Sequence, residues 1–350
     1  MTAVETPSRP ADPRANAASG RPKKSLWALI GNGPIPLLFA LVAITVILGL
    51  ILSDTAFLSS SNLLNIVSQS APILVMALAT VFVITCGEID LSFAAVVPVA
   101  GYVAALTMPE YGWAAGAAVA LAVSAAVGLV NGLLTVGLGV PSFIVTLGTM
   151  GILDGAARWI TNTVTKVVKD PTYIAIFGGG SIGPLSSLVI WAAVLSVLAH
   201  VLYKHTAFGR ALHATGGNTT AARFSGIRTG RIKITALVLS SLAGGLAGLL
   251  YAGRLQSVRF DVGADDLLTV LAAVIIGGTV LAGGRGSIVG AVLGVLLLGV
   301  VNNGLVLLGL SIPQQLAFQG GIIIIAVILS AKGRFAELKN ILQVRLGTKS

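Results

Sequence analysis

Residues 34–53 read Pro-Ile-Pro-Leu-Leu-Phe-Ala-Leu-Val-Ala-Ile-Thr-Val-Ile-Leu-Gly-Leu-Ile-Leu-Ser, twenty positions without a charge. A helix rises about 1.5 Å per residue, so this run reaches across the roughly 30 Å of hydrocarbon in a bilayer. A cleaved signal peptide carries a shorter apolar region of about 7–15 residues, so the run reads as an anchor that stays. Further apolar runs follow near 64–85, 91–108, 113–136, 141–160, 186–203, 232–252, 267–283, 287–309 and 316–331. The expected fold is an all-α polytopic membrane protein of about ten transmembrane helices.

Composition agrees. Of 350 residues, 55% are hydrophobic and 10% charged, against about 25% charged in a soluble domain. Ten spans of about 20 residues use roughly 200 positions and leave the rest for tails and loops. Glycine, 43 residues, is dense inside the runs; it would weaken soluble helices but lets membrane helices approach closely. Gly244, Gly245 and Gly248 make one such face. Residues 1–25 are rich in Pro, Ala and Arg without an apolar period, which marks disorder. The expected organisation is a disordered cytoplasmic tail over 1–30, a transmembrane domain over 31–331 and a cytoplasmic tail over 332–350.

The net charge of +10 would suggest nucleic acid in a soluble protein. Here it reports orientation. With ten alternating spans and the N-terminus inside, 17 of the 22 basic residues fall in cytoplasmic segments, and only Arg158, Lys166, Lys169, Arg254 and Arg259 lie elsewhere. The positive-inside bias selects that orientation, with both termini cytoplasmic, and no nucleic-acid partner is expected. The acidic residues Asp261, Asp265 and Asp266 then form a patch on the outer face.

A repeat runs through the spans. Asn131-Gly132-Leu133 with Gly137, Leu138 and Pro141 recurs as Asn303-Gly304-Leu305 with Gly309, Leu310 and Pro313, at a constant offset of 172. That offset maps the fourth span onto the ninth, which run in opposite directions, as a duplicated unit of five spans requires. Inverted 5+5 repeats of this kind build transport pathways near the bilayer midplane.

Residues 204–233 form the longest polar stretch between spans, on the cytoplasmic side. Within it Gly216-Gly217-Asn218-Thr219-Thr220-Ala221-Ala222-Arg223-Phe224-Ser225-Gly226-Ile227 predicts a short helix capped by Asn218 or Thr219 and ended by Gly226. Other stretches add to this: Gly87-Glu88-Ile89-Asp90-Leu91-Ser92, Pro141 through Met150, Ile276-Gly277-Gly278-Thr279, Gly283-Gly284-Arg285-Gly286-Ser287 and Asn302-Asn303-Gly304. In this order they resemble the permease subunits of ribose-type sugar importers of the ATP-binding-cassette class, over about residues 57–330. Glu88 stands where that family has the second glycine of the turn.

The resemblance implies a coupling helix built from Gly217, Asn218, Thr220, Ala221, Ala222, Arg223 and Gly226, received in a groove of a separate ATPase chain. It implies a ribose- or xylose-like monosaccharide as substrate and an extracytoplasmic sugar-binding protein that delivers it. It also implies a second permease copy as a homodimer and a place among the lipids of the bacterial cytoplasmic membrane. Two alternatives stay open: a related permease for branched-chain amino acids, and an ATP-independent secondary transporter using its inverted repeat.

Polar residues inside the spans mark the candidate pathway. Ser142, Thr146 and Thr149 share one face of the fifth span by helical spacing, and Gln315 and Gln319 are four apart on the tenth. Hydroxyls and amides suit a polyol, so Thr146, Thr149, Gln315 and Gln319 are expected to face a substrate path. Asn131 and Asn303 read as interhelical glue, Glu88 and Asp90 as caps of the third span, and Asp154 with Arg158 as a structural pair. No enzyme chemistry is expected. The chain lacks the Gly-x-x-x-x-Gly-Lys-Ser/Thr loop that cradles phosphates, a His-Glu-x-x-His element and a Gly-x-Ser-x-Gly element. His200, His205 and His213 have no ligand spacing, and the single Cys86 excludes a disulfide, so neither cofactor nor metal is expected.

Overall fold

The second half of the bundle's central helix is almost entirely apolar, and its surroundings explain why. In a computed structural model describing residues 34–322 and 324, the helix Ser60–Thr85 is buried without interruption from Leu74 to Thr85. Ser59 caps it, accepting from the Asn62 N–H at 3.2 Å. In chain order the helices are α1 (Ile35–Ile51), α2 (Ser60–Thr85), α3 (Phe93–Gly137), α4 (Ser142–Thr161), α5 (Pro171–Ile174), α6 (Ser187–His205), α7 (Ala207–Gly217), α8 (Thr219–Phe224), α9 (Thr229–Leu255), α10 (Asp266–Ile276) and α11 (Ile288–Leu307). Residues 312–322 are also helical. The tails expected over 1–30 and 332–350, and part of the run 316–331, lie outside the described residues.

Among the described residues, α2, α3, α4, α6, α9 and α11 are long and apolar enough to cross a membrane, while α1 and α10 are shorter apolar helices. Their outward faces carry Phe39 and Leu50 on α1, Ile152 and Ile160 on α4, and Val197 and Leu198 on α6, all well exposed. Water would penalise so much contiguous apolar surface, whereas hydrocarbon does not. The chain is an all-α membrane protein. Among the described residues, strand content is confined to two short antiparallel pairings, Lys166–Val167 with Ser257–Val258 and Ser181–Ile182 with Leu185–Ser186.

Three of the expected runs take a different form. The runs 91–108 and 113–136 appear as one 45-residue element, α3, interrupted at Gly112 with φ 81° and ψ 169°. Gly116 lies against the Ala104 carbonyl and Met108, so the arms 93–111 and 113–137 fold back on each other. Only glycine accepts that φ without steric cost. The run 267–283 is helical only over Asp266–Ile276, because the chain turns at Gly278 with φ 89° and Gly277 packs on the backbone of Gly290.

Glycines set the distances between helices. A Cβ at Gly244 would meet the Phe93 carbonyl, one at Gly245 would overlap the Ser124 hydroxyl, and one at Gly248 would overlap the Val97 carbonyl. The face read from the sequence thus packs α9 along both arms of α3, while Gly128 and Gly132 of α3 press on Val238 and Ile234 of α9. Equivalent contacts join α11 to α2, where Gly299 meets Ser70 and Ile66. Backbone approach of this kind supplies the dispersion contacts that hold membrane helices together, since lipid offers no hydrophobic drive.

Gly248→Val should therefore lower the melting temperature in detergent sharply, at or above the upper end of the roughly 1–3 kcal/mol typical of overpacking. Gly148→Ala on α4, where an added Cβ meets nothing within 4 Å, should leave it unchanged.

Candidate functional site

The 204–233 stretch folds into two consecutive short helices at one end of the bundle. Thr206 caps α7 by accepting from the Gly209 N–H at 3.2 Å, and Asn218, in extended backbone, caps α8 by accepting from the Ala221 N–H at 2.9 Å. Gly226 ends α8 at φ 81°, where its N–H donates to Arg223 O and that of Ile227 to Ala222 O. Gly217, Asn218, Thr220, Ala221, Arg223 and Gly226 are exposed, as a docking surface requires. Ala222 is buried against its own chain; a bulky residue there would disturb folding before it disturbed docking. Phe224 is 90% exposed and escaped the sequence reading, although an aromatic between Arg223 and Ser225 in a polar loop was a usable signal.

Beneath α7 and α8, three backbones cross. The Gly284 N–H donates to the Thr85 carbonyl at 2.8 Å, and Gly216 fits against both, where any Cβ would overlap Thr85 O. His213 Nδ1 lies 3.1 Å from the Gly284 carbonyl. Gly283 and Gly284, both at positive φ, form the tight turn expected of the Gly283–Ser287 stretch.

From this crossing the chain runs into the interior: the N–H groups of Cys86, Gly87 and Glu88 donate back to the carbonyls of Phe82, Ile84 and Val83 at the end of α2, and residues 89–91 follow as irregular backbone. The Ile89 N–H donates to Ser142 Oγ at 3.0 Å and the Leu91 N–H to Thr146 Oγ1 at 3.1 Å. Asp90 Oδ1 accepts from the Ser92 N–H and hydroxyl, at 2.8 and 2.6 Å. Asn131 Nδ2 donates to Ser92 Oγ at 2.9 Å, and Thr149 Oγ1 donates to Asn131 Oδ1 at 2.6 Å. Glu88 pairs with Lys233 of α9. Asp90 thus closes a turn onto Ser92, the N-cap of α3, which makes no side-chain cap hydrogen bond, and Glu88 bridges to another helix, so neither carboxylate caps the third span as expected.

Gln315 and Gln319 sit elsewhere. They line a cavity of about 180 Å³ with Ser70, Asp266, Thr269 and Asn302. Gln319 Nε2 donates to Thr269 Oγ1 at 2.5 Å, Gln315 Nε2 donates to Leu310 O at 2.8 Å, and Tyr251 donates to Asp266 Oδ2 at 2.6 Å. The four residues expected to share one path therefore fall into two groups, with the hydroxyls of Thr146 and Thr149 spent on 89–92 and on Asn131. Asn303 makes a reciprocal amide pair with Asn62, at 2.9 and 3.2 Å.

The acidic patch expected from Asp261, Asp265 and Asp266 is not formed as one cluster. Asp266 turns inward to Tyr251, and Asp261 is clamped by Arg259 at 3.0 and 2.6 Å. Asp154 and Arg158 pair at 3.0 Å, with the guanidinium 4.6 Å from the Phe260 ring centre. Among the described residues, no group of three His, Cys, Asp or Glu side chains could hold a metal ion.

The arrangement offers an exposed capped helix, a close backbone crossing and a polar cavity. Residues 62–327 match the family described as branched-chain amino acid transport system / permease component. The chain belongs to this family. Among the similar proteins is the ribose import permease protein of Escherichia coli strain K12, 36% identical over 298 residues, which cover 84% of this chain and 93% of that one. Another is the ribose import permease protein of Bacillus subtilis strain 168, 37% identical over 307 residues, covering 86% and 92%. A third is the L-arabinose ABC transporter permease protein of Azospirillum brasilense, 33% identical over 320 residues, covering 90% and 92%. No solved structure matches the chain significantly. As a member of this permease family, the protein is a transport component and not an enzyme.

Thr149→Val should leave Asn131 Oδ1 without its donor and cost about 1–3 kcal/mol, read as a lower melting temperature in detergent. An unchanged melting temperature would dissociate Thr149 from the 89–92 network.

Proposed function

We infer that the chain is the membrane-embedded permease subunit of an ATP-driven sugar importer. The observation that carries this is the capped, solvent-facing helix α8 at the end of the bundle, in a chain of the permease family whose relatives are named for ribose and L-arabinose import. The substrate is a ribose- or xylose-like monosaccharide. ATP is hydrolysed on a separate chain that receives α8. A soluble sugar-binding protein delivers substrate at the opposite face, two permease copies flank the pathway, and the assembly sits in the bacterial cytoplasmic membrane. The ATP-independent transporter has no use for a docking helix, and the named relatives favour sugar over branched-chain amino acids.

We further propose ten crossings arranged as an inverted repeat. The two arms of α3 supply two of them, α1, α10 and residues 312–322 three more. Support comes from the way the halves interlock: α9 packs on α3, while α2 packs on α10 and α11, the exchange that a five-span offset produces. The charge bias favours cytoplasmic termini and a cytoplasmic α8. Gln315 and Gln319 are proposed to contact sugar, and Thr146 and Thr149 to serve the pathway indirectly by holding residues 89–92.

Two experiments test this reading. With the ATPase chain co-expressed, Phe224→Ala should remove about 2 kcal/mol of docking energy, the scale of an aromatic hot spot, and deplete the ATPase from the purified complex. In the same preparations Gln319→Leu should lower sugar uptake several-fold while ATPase recovery stays constant. Full ATPase recovery with Phe224→Ala would remove α8 as the docking helix, and full uptake with Gln319→Leu would remove the cavity from the pathway. Separately, Thr220→Cys and Ala264→Cys, each in a Cys86→Ala background, should label from opposite sides of the membrane. Labelling from one side would refute the topology.

A further inference from the structure

Glu88 and Lys233 pair in the interior of the docking end, with 8% and 23% of their side chains exposed. The pair joins the non-helical segment 86–92 to the first turns of α9. Each partner stands at the end of a chain of direct contacts. On one side, Arg223 of α8 donates from Nε to the hydroxyl of Thr229, the first residue of α9, at 3.1 Å. Lys233 lies one turn further along the same helix. A displacement of α8 is thus delivered to the turn that carries the ammonium.

On the other side, Glu88 is followed directly by Ile89 and Leu91, whose N–H groups are held by Ser142 and Thr146 of α4. Ser92 continues the contact through Asn131 to Thr149. The carboxylate therefore sits at the head of a strip of backbone that is fastened along one face of α4.

Stability alone does not account for the pair. A buried ion pair gains little over two well-packed apolar groups, because desolvation offsets the attraction, whereas removing one partner strands a charge. What the pair provides is a short directional link between two segments that share no helix. A glycine at position 88 would carry no side chain to make it.

We propose that Glu88 and Lys233 are a positioning pair that transmits movement of the docking helix to residues 86–92 and so to α4, coupling ATP hydrolysis to sugar movement. The proposal rests on the reading of α8 as the ATPase docking helix.

The test uses the complete complex with its ATPase chain and sugar-binding protein, reconstituted in liposomes. ATP hydrolysed per sugar imported is measured well below every melting temperature. Glu88→Gln and Lys233→Met alone should each lower the melting temperature, by stranding a charge, and the double variant should recover most of that loss. The double variant should nevertheless consume at least about fivefold more ATP per sugar than the parent, whereas Lys233→Arg, which keeps the pair, should stay near the parental ratio. A parental ratio in the double variant would overturn the proposal, as would uncoupling by Lys233→Arg equal to that of the double variant. Failure of the unmodified chain to retain the ATPase would instead overturn the reading of α8.

Discussion

Hydrocarbon supplies no hydrogen bonds, so any backbone that leaves a helix at depth must find partners within the protein. Residues 86–92 are where this constraint is felt most directly. The N–H groups of Cys86, Gly87 and Glu88 are met by carbonyls at the end of α2, those of Ile89 and Leu91 by Ser142 and Thr146, and the side chains of Ser92, Asn131 and Thr149 extend the network. Because these partners come from α3 and α4, the position of both helices is fixed by one short strip of chain. The crossing of Thr85, Gly216 and Gly284 then attaches α7 and α8 to that strip.

A second constraint is spatial. With no hydrophobic force between helices inside a bilayer, cohesion comes from close approach, and the glycines of α3, α9 and α11, with Gly277 just past α10, permit it at carbonyl-contact distance. Polar pairs add to this at particular points, among them Asn62 with Asn303, Tyr251 with Asp266 and Gln319 with Thr269. Each joins two helices at a level where an unpaired polar group would be costly. The molecule is held by shape along its length and pinned by hydrogen bonds at a few depths.

Much of this was legible in the sequence. Apolar runs of about twenty residues announce membrane helices without knowledge of tertiary contacts, and Asn218 and Gly226 mark the ends of α8 by local backbone chemistry alone. The glycine face of α9 was visible for the same reason. Less legible was direction. Helical spacing places Ser142, Thr146 and Thr149 on one face but does not say what that face meets, and it meets backbone. Nor does spacing reveal that Glu88 reaches a lysine 145 positions later, that Ala222 points inward, or that Asp266 turns to Tyr251. Those are products of how the helices cross, which composition does not encode.

The interlocking of the two halves also imposes an order in time. The glycines at 128 and 132 are shaped to receive α9, yet Val238, against which Gly128 packs, is synthesised roughly a hundred residues later. At about 5–20 residues per second, the second arm of α3 waits on the order of 5–20 s before its partner exists. During that interval its small-residue groove faces lipid or the insertion machinery, and acyl chains must be displaced when α9 arrives. Assembly of this protein is therefore a late event, completed by its second half and not built up helix by helix.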